Sequence, residues 1–177
     1  MIICVDFDGT VLTDSFPYYG KDIGAIPVLK ALVKNGHKII LYTIRSHREV
    51  KYSRGSNLPK PMDTLSLAIE WFEKNGIDLY GVNTYPDQKD WTDSPKAFAH
   101  YYIDDRNIGC PLINTLDSRP FVNWKLITNM LLEKNLITKK DSDQCRDYWS
   151  KMIDTYINHY KVDEYCSFYK ELSKHLL

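Results

Sequence analysis

The chain reads as an α/β fold with a mainly parallel sheet, on three observations: short β-branched apolar runs, amphipathic helical segments between them, and glycine or asparagine at the changeovers. Residues 1–6 open with Met1-Ile2-Ile3-Cys4-Val5, a run of the kind expected for a strand buried on both faces. A helix is predicted over 23–35, ended by Gly36, followed by a second strand over 37–43. A polar loop then runs to Pro61. The next helix is placed at 63–75, with Asp63 as its N-cap and Leu65, Ala68, Ile69 and Phe72 as its apolar stripe, and Gly76 ends it. Residues 79–83 give a third strand, 95–99 a short helical turn and 101–104 a fourth strand. Strands alternating with helices imply three α/β/α layers of Rossmann-like type.

Beyond Cys110-Pro111 the pattern changes to helices alone. Residues 121–134 and 143–176 have helical spacing, with Tyr148, Met152, Tyr156 and Tyr160 close to an i, i+4 series, and Asn135 with the KKDSD stretch separates them. The expected organisation is therefore a catalytic domain over 1–117 and a helical C-terminal extension over 118–177. The extension is expected to pack on the domain or against another subunit, so a homo-oligomer through these helices is a partner expectation.

Composition narrows the function classes. With 177 residues, 44% of them hydrophobic, the chain is long enough for a core of ordinary size. The formal net charge is zero, which argues against a generally cationic nucleic-acid binder, although a nucleic-acid end as substrate stays open. Cys4, Cys110, Cys145 and Cys166 show no metal-ligand spacing, and no signal peptide is recognisable, so a cytoplasmic location with free thiols is expected. No apolar run approaches the roughly 20 residues of a membrane span.

Chemistry concentrates in Asp6-Phe7-Asp8-Gly9-Thr10, directly after the first strand. Two carboxylates two residues apart at a strand's C-terminal end can supply an aspartyl nucleophile with its own general acid, and the ends of parallel strands are where such sheets bind ligands. Gly9 gives the turn and is counted with the phosphate-binding residues. An aspartate attacks phosphorus only when the phosphoryl charge is offset, and Mg²⁺, with its preference for oxygen ligands, is the natural cofactor. Thr43 ends the second strand with a hydroxyl suited to a phosphoryl oxygen. Lys96 precedes the fourth strand with an ammonium that offsets anionic charge, and Lys89 competes for that role. Asp104-Asp105 bring acidic metal ligands to the same edge.

DFDGT, the Thr of LYTIR, the Lys of SPKAFAHYYIDD and the paired aspartates resemble the four motifs of the haloacid dehalogenase-like (HAD) hydrolase superfamily, over roughly residues 1–110. The resemblance implies Asp6 as nucleophile, Asp8 as general acid/base, Thr43 and Lys96 as phosphate ligands, and a Mg²⁺ site of Asp6, the main-chain carbonyl of Asp8, Asp104 and Asp105. It also implies a capless member. The gaps after Thr10 and between Asn83 and Lys96 are too short for the cap domains that the family inserts there.

Residues 44–61 are a possible substitute for a cap: Arg45, Arg48, Lys51, Arg54 and Lys60 stand against one acid, Glu49. Such a loop would clamp a small phosphorylated substrate, with Arg45 as its best phosphate contact, or it is simply solvated. Most of the four tryptophans and thirteen tyrosines are expected in the core, with Tyr18, Tyr19 and Trp91 in loops near the site. The expected function is a Mg²⁺-dependent phosphohydrolase acting on phosphate monoesters through an aspartyl-phosphate. A phosphotransferase on the same motifs and a catalytically silent HAD-fold binding protein are the alternatives. Asp8 weakens a dehalogenase reading, because carbon–halogen displacement needs no protonated leaving group.

Overall fold

The computed structural model describes residues 1–51, 55–115, 118–159 and 164–177, the side chain of Glu164 excepted. In chain order the elements are β1 (Ile2–Val5), α1 (Ala25–Lys34), β2 (Lys38–Leu41), β3 (Glu49–Lys51), β4 (Asn57–Met62), α2 (Thr64–Lys74), β5 (Leu79–Val82), β6 (Tyr101–Ile103), β7 (Leu112–Ile113), β8 (Phe121–Val122), α3 (Trp124–Glu133), α4 (Lys139–His159) and α5 (Glu164–Leu176), with a 3-10 turn at Pro86–Asp90.

Four strands form one parallel sheet in the order β5-β2-β1-β6. The chain moves outward from β1 to β2 and β5, then crosses back to add β6 on the other side of β1. That reversal sets a topological switch point at β1 and β6, where open α/β sheets place their ligands. Alternation along the strands splits the core. Ile3, Val5, Phe7, Ile39 and Leu41 face a large cluster to which all five helices contribute, through residues such as Leu29, Phe72, Trp124, Trp149 and Leu172. Ile2, Cys4 and Ile40 face the other way.

The second face departs from the expected three-layer α/β/α arrangement. Tyr85, Ala97 and Ala99 of the β5–β6 connection cover it, and among the described residues no α-helix contributes to that cluster. Pro86 and Pro95 bracket a polar stretch with no apolar helical stripe, so the connection packs as extended chain around the 3-10 turn. The helical turn expected at 95–99 is accordingly at Pro86–Asp90. Gln88 does the work of a ladder here: its buried amide donates to the carbonyls of Ser94 and Lys96 at 2.7 and 2.9 Å and accepts from the Phe98 N–H at 2.7 Å.

Helix ends follow local chemistry. Asp63 accepts from the Ser66 N–H at 2.8 Å, and Asn135, at φ 56°, closes the segment after α3. The KKDSD stretch is not a separator. Thr138 and Asp141 bond each other reciprocally in a capping-box arrangement, so α4 begins at Lys139. The buried seam of α4 is Cys145, Trp149, Met152 and Ile153, so Met152 of the expected series is buried, while Trp149 takes the place expected for Tyr148, which is exposed. Tyr156 stacks on Tyr169 with ring centroids 4.1 Å apart, and Tyr160 lies outside the described residues.

Residues 44–61 also differ from a simple loop, since β3 and β4 pair antiparallel, Glu49 with Met62 and Lys51 with Asn57. Pro59 and Pro61 hide the strand from a propensity reading, but a two-stranded ribbon has free edges on which proline is tolerated. Arg54 lies outside the described residues.

The C-terminal helices share the core of the sheet rather than standing off from it. The Val122 N–H donates to the Gly9 carbonyl at 2.9 Å, the Trp124 indole to the Thr10 carbonyl at 2.8 Å, and the Trp149 indole to the Gly24 carbonyl at 2.8 Å. Residues 118–177 therefore buttress the turn that carries Asp6 and Asp8. Among the described residues, no helix is long and apolar enough to cross a membrane.

Candidate active site

β1 ends at Val5, and the Asp6 N–H continues its ladder by donating to the Ile103 carbonyl at 3.0 Å, which brings the residues after β1 and β6 side by side. One carboxylate oxygen each of Asp6, Asp104 and Asp105 lie within 4.8 Å of one another. Burial pushes the Asp6 carboxyl up to about 7. The Phe7 N–H and the Thr43 hydroxyl, both hydrogen-bonded to it, oppose that shift, while the charges of Asp104 and Asp8 add to it. Asp105 is raised as well, chiefly by burial, with the Arg106 guanidinium 3.1 Å away acting against it. Its Oδ1 is buried with no hydrogen-bond partner.

The turn geometry explains Gly9 differently from the sequence. Gly9 has φ 77°, and a Cβ there would stand 2.7 Å from Asp105 Oδ2, so glycine lets the Asp105 carboxylate close on the loop. Its N–H donates to the Leu12 carbonyl and its carbonyl accepts from Val122. Gly9 thus has no free donor for a phosphate, and its role is packing. The Thr10 hydroxyl fixes the other side by accepting from the Asp105 N–H at 3.0 Å.

Thr43 sits where it was expected, beside Asp6. Its N–H donates to Asn83 Oδ1 at 2.7 Å, and its hydroxyl accepts from the Arg45 N–H at 3.3 Å. Asn83 was missed by the sequence reading; an asparagine closing the third predicted strand, at the same sheet edge, is the signal that could have found it, and it adopts the αL conformation at φ 55°. Lys96 lines a small cavity of about 230 Å³ together with Asp6, Tyr42 and Asp104. Lys89 stays on the 3-10 turn and lines neither cavity of the site.

Arg45 is the clearest correction. Expected as a phosphate contact, it is buried, with its Nε and Nη2 each donating to one oxygen of Asp8 at 2.7 Å. Its other donors go to the carbonyls of Pro17, Tyr18 and Thr64. None remains for a substrate.

A larger cavity of about 860 Å³ opens over Asp6, Asp8, Thr43 and Asp104, walled by Phe16, Tyr42 and Ile44. Glu49 and Lys51 of the β3–β4 ribbon, Arg106, and the ion pair of Asp14 with Arg119 (2.5 Å) also line it. Among the residues of the basic segment, Lys51 reaches the cavity, while Arg48 and Lys60 are exposed. The aromatic lining comes from Phe16 and Tyr42, whereas Tyr18, Tyr19 and Trp91, expected near the site, are exposed and line neither cavity.

No protein-family model and no curated protein matches the chain. Among solved structures it is similar to a conserved protein of Bacteroides thetaiotaomicron, at 31% identity over 80% of this chain and 95% of that one, with a TM-score of 0.54. At that identity and coverage the two chains belong to one family.

Proposed function

We propose that this member of the family is a Mg²⁺-dependent phosphohydrolase of HAD type, cleaving phosphate monoesters through an aspartyl-phosphate on Asp6. The observation that carries this reading is the convergence of Asp6, Asp104 and Asp105 within 4.8 Å at the switch point of a parallel sheet. The donor set fits the cation: three carboxylates offer hard oxygens, and the partnerless Asp105 Oδ1 is the buried polar atom that folding alone leaves incomplete. Asp6, Asp104 and Asp105 would hold Mg²⁺, which when bound supplies the positive charge that lets a carboxylate approach a phosphoryl group.

The chain's own groups perform the remaining work. The Thr43 hydroxyl and Phe7 N–H orient the Asp6 carboxylate, and the Lys96 ammonium in the adjoining cavity offsets phosphoryl charge. Asp6 forms its bond to phosphorus as the bond to the leaving oxygen breaks, and Asp8 gives that oxygen a proton. Asp8 then takes a proton from the water that cleaves the acyl phosphate, which frees phosphate and regenerates Asp6. One residue serves both halves, as in other general acid/base pairs of steps.

The test is a screen of phosphate esters with Mg²⁺, reading released phosphate from wild type and from Asp6→Asn. Release by wild type that the variant lacks supports the reading, and product analysis with added alcohols separates hydrolysis from transfer. No release from any ester would overturn it.

A further inference from the structure

We propose that Arg45 is a positioning residue for Asp8: its buried fork fixes where the Asp8 carboxylate sits, and it acts on the reaction only through that carboxylate. This builds on the phosphohydrolase reading and adds a residue to it.

A guanidinium has five N–H donors and no acceptor, and in this site all five are spent. Nε donates to Asp8 Oδ2 and Nη2 to Oδ1, both at 2.7 Å; Nη2 also reaches the Tyr18 carbonyl at 3.0 Å, and Nη1 reaches those of Pro17 and Thr64 at 3.1 and 3.4 Å. The Arg45 side chain is 0% exposed and that of Asp8 17%. The guanidinium also lies against the rings of Phe7 and Phe16, 4.8 and 5.5 Å from their centroids.

Two segments hold the fork by their carbonyls: Pro17 and Tyr18 belong to the loop after β1, and Thr64 opens α2. The guanidinium cannot shift toward the cavity without giving up bonds to both. Asp8 lines the larger cavity and Arg45 lines neither, so the arginine stands behind the carboxylate as seen from the substrate. A bidentate pair fixes a carboxylate in plane as well as in distance, which a lysine ammonium cannot reproduce.

A double-mutant cycle in kcat tests the proposal, using β-glycerophosphate and p-nitrophenyl phosphate with Mg²⁺. Arg45→Gln should lower kcat on the order of 10–10²-fold with KM nearly unchanged, since a group that places Asp8 affects the transition state rather than uniform binding. In an Asp8→Asn background the same substitution should cost less than about 2-fold, because its only route to the reaction is already gone. Arg45→Lys should recover part of the loss, and it carries the same cycle should Arg45→Gln fail to fold.

A KM that rises for both esters and stays raised in Asp8→Asn would make Arg45 a phosphate ligand and overturn the proposal. Additive losses, or a folded Arg45 variant with wild-type kcat, would overturn it equally, leaving a structural ion pair. Those results leave Asp6-dependent turnover standing. Absence of turnover in wild type sinks the phosphohydrolase reading and this proposal with it.

Discussion

A single carboxylate and a cluster of three lie at opposite ends of the sheet, and folding treats them in opposite ways. At the end where α1 hands over to β2, Asp141 is 2% exposed and fully engaged: it accepts from Lys34 Nζ at 2.7 Å, Asn35 Nδ2 at 3.0 Å, and the Thr138 N–H and hydroxyl at 2.9 and 2.6 Å. Burial works against its charge, but those donors win and hold it well below the usual carboxylate range. At the other end Asp6 and Asp105 are raised by burial among their own kind, and one buried oxygen has no partner. A carboxylate that the fold itself satisfies belongs to the scaffold. A cluster that the fold leaves unsatisfied lowers stability and points to a component that binds there.

The largest expected effect breaks the cluster. Asp6→Asn keeps the shape and removes the nucleophile, so phosphate release should fall on the order of 10⁴–10⁶-fold, the scale seen when a nucleophile is deleted. The same variant should change the pH dependence of metal-free stability. A carboxyl raised to about 7 contributes most below pH 4, and that contribution is lost as pH rises through 7. Wild type without metal should therefore lose stability across that window, measured by urea melts, and Asp6→Asn should lose less. Near-wild-type turnover of the variant would end the mechanism.

Next in size is the joint change of Asp104 and Asp105 to asparagine. It should raise the Mg²⁺ concentration needed for half-maximal activity by at least ~10²-fold, since removing even the neighbours of metal ligands typically costs 10–100-fold in affinity. Chelation by EDTA should abolish wild-type activity, and Mg²⁺ should restore it. An unchanged Mg²⁺ requirement would make the pair structural, on a par with Asp141.

Asp141 itself gives the converse. Asp141→Asn should leave turnover alone and reduce unfolding free energy by about 2–4 kcal/mol, because several charge-assisted hydrogen bonds weaken together. Its depressed carboxyl contributes stability above about pH 4 and loses that contribution as pH falls further. Acid melts of the variant should show a shallower decline below pH 4 than wild type. A variant with lowered turnover at full stability would blur the distinction between the two ends.

What the sequence disclosed follows the same division. The strand pattern of Ile2–Val5 and the order of Asp6, Thr43, Lys96 and Asp104 were legible, because chain order in a parallel sheet delivers strand ends to one edge. Asp63 was legible as a cap, because capping is local. Arg45 was not, since an arginine in a cationic segment looks the same whether it faces phosphate or turns inward to Asp8. The β3–β4 ribbon was hidden by Pro59 and Pro61, and the missing helical layer by the fact that Gln88, a single polar side chain, organises the β5–β6 connection. Gly9 was seen as a turn, but the Asp105 carboxylate that requires it is distant in sequence.

The smallest effect concerns the ribbon, which lies between the two extremes: among the described residues, no ion pair engages Arg48, Glu49, Lys51 or Lys60. Lys51 lines the larger cavity beside Glu49, and Arg48 is exposed at the start of the ribbon. If Lys51 meets the part of an anionic substrate beyond its reacting phosphate, the interaction is equal in ground and transition states. Neutralising Arg48 and Lys51 together should then raise KM a few-fold at unchanged kcat. Small aryl phosphates, which do not reach the ribbon, should be unaffected. Because exposed charges are screened over about 8–10 Å at ordinary ionic strength, the difference should shrink as salt is added. Identical kinetics for wild type and double variant across a broad ester panel at low salt would assign the ribbon to solvent, and substrate selection would then fall to Phe16, Tyr42 and Arg119, which line the same cavity.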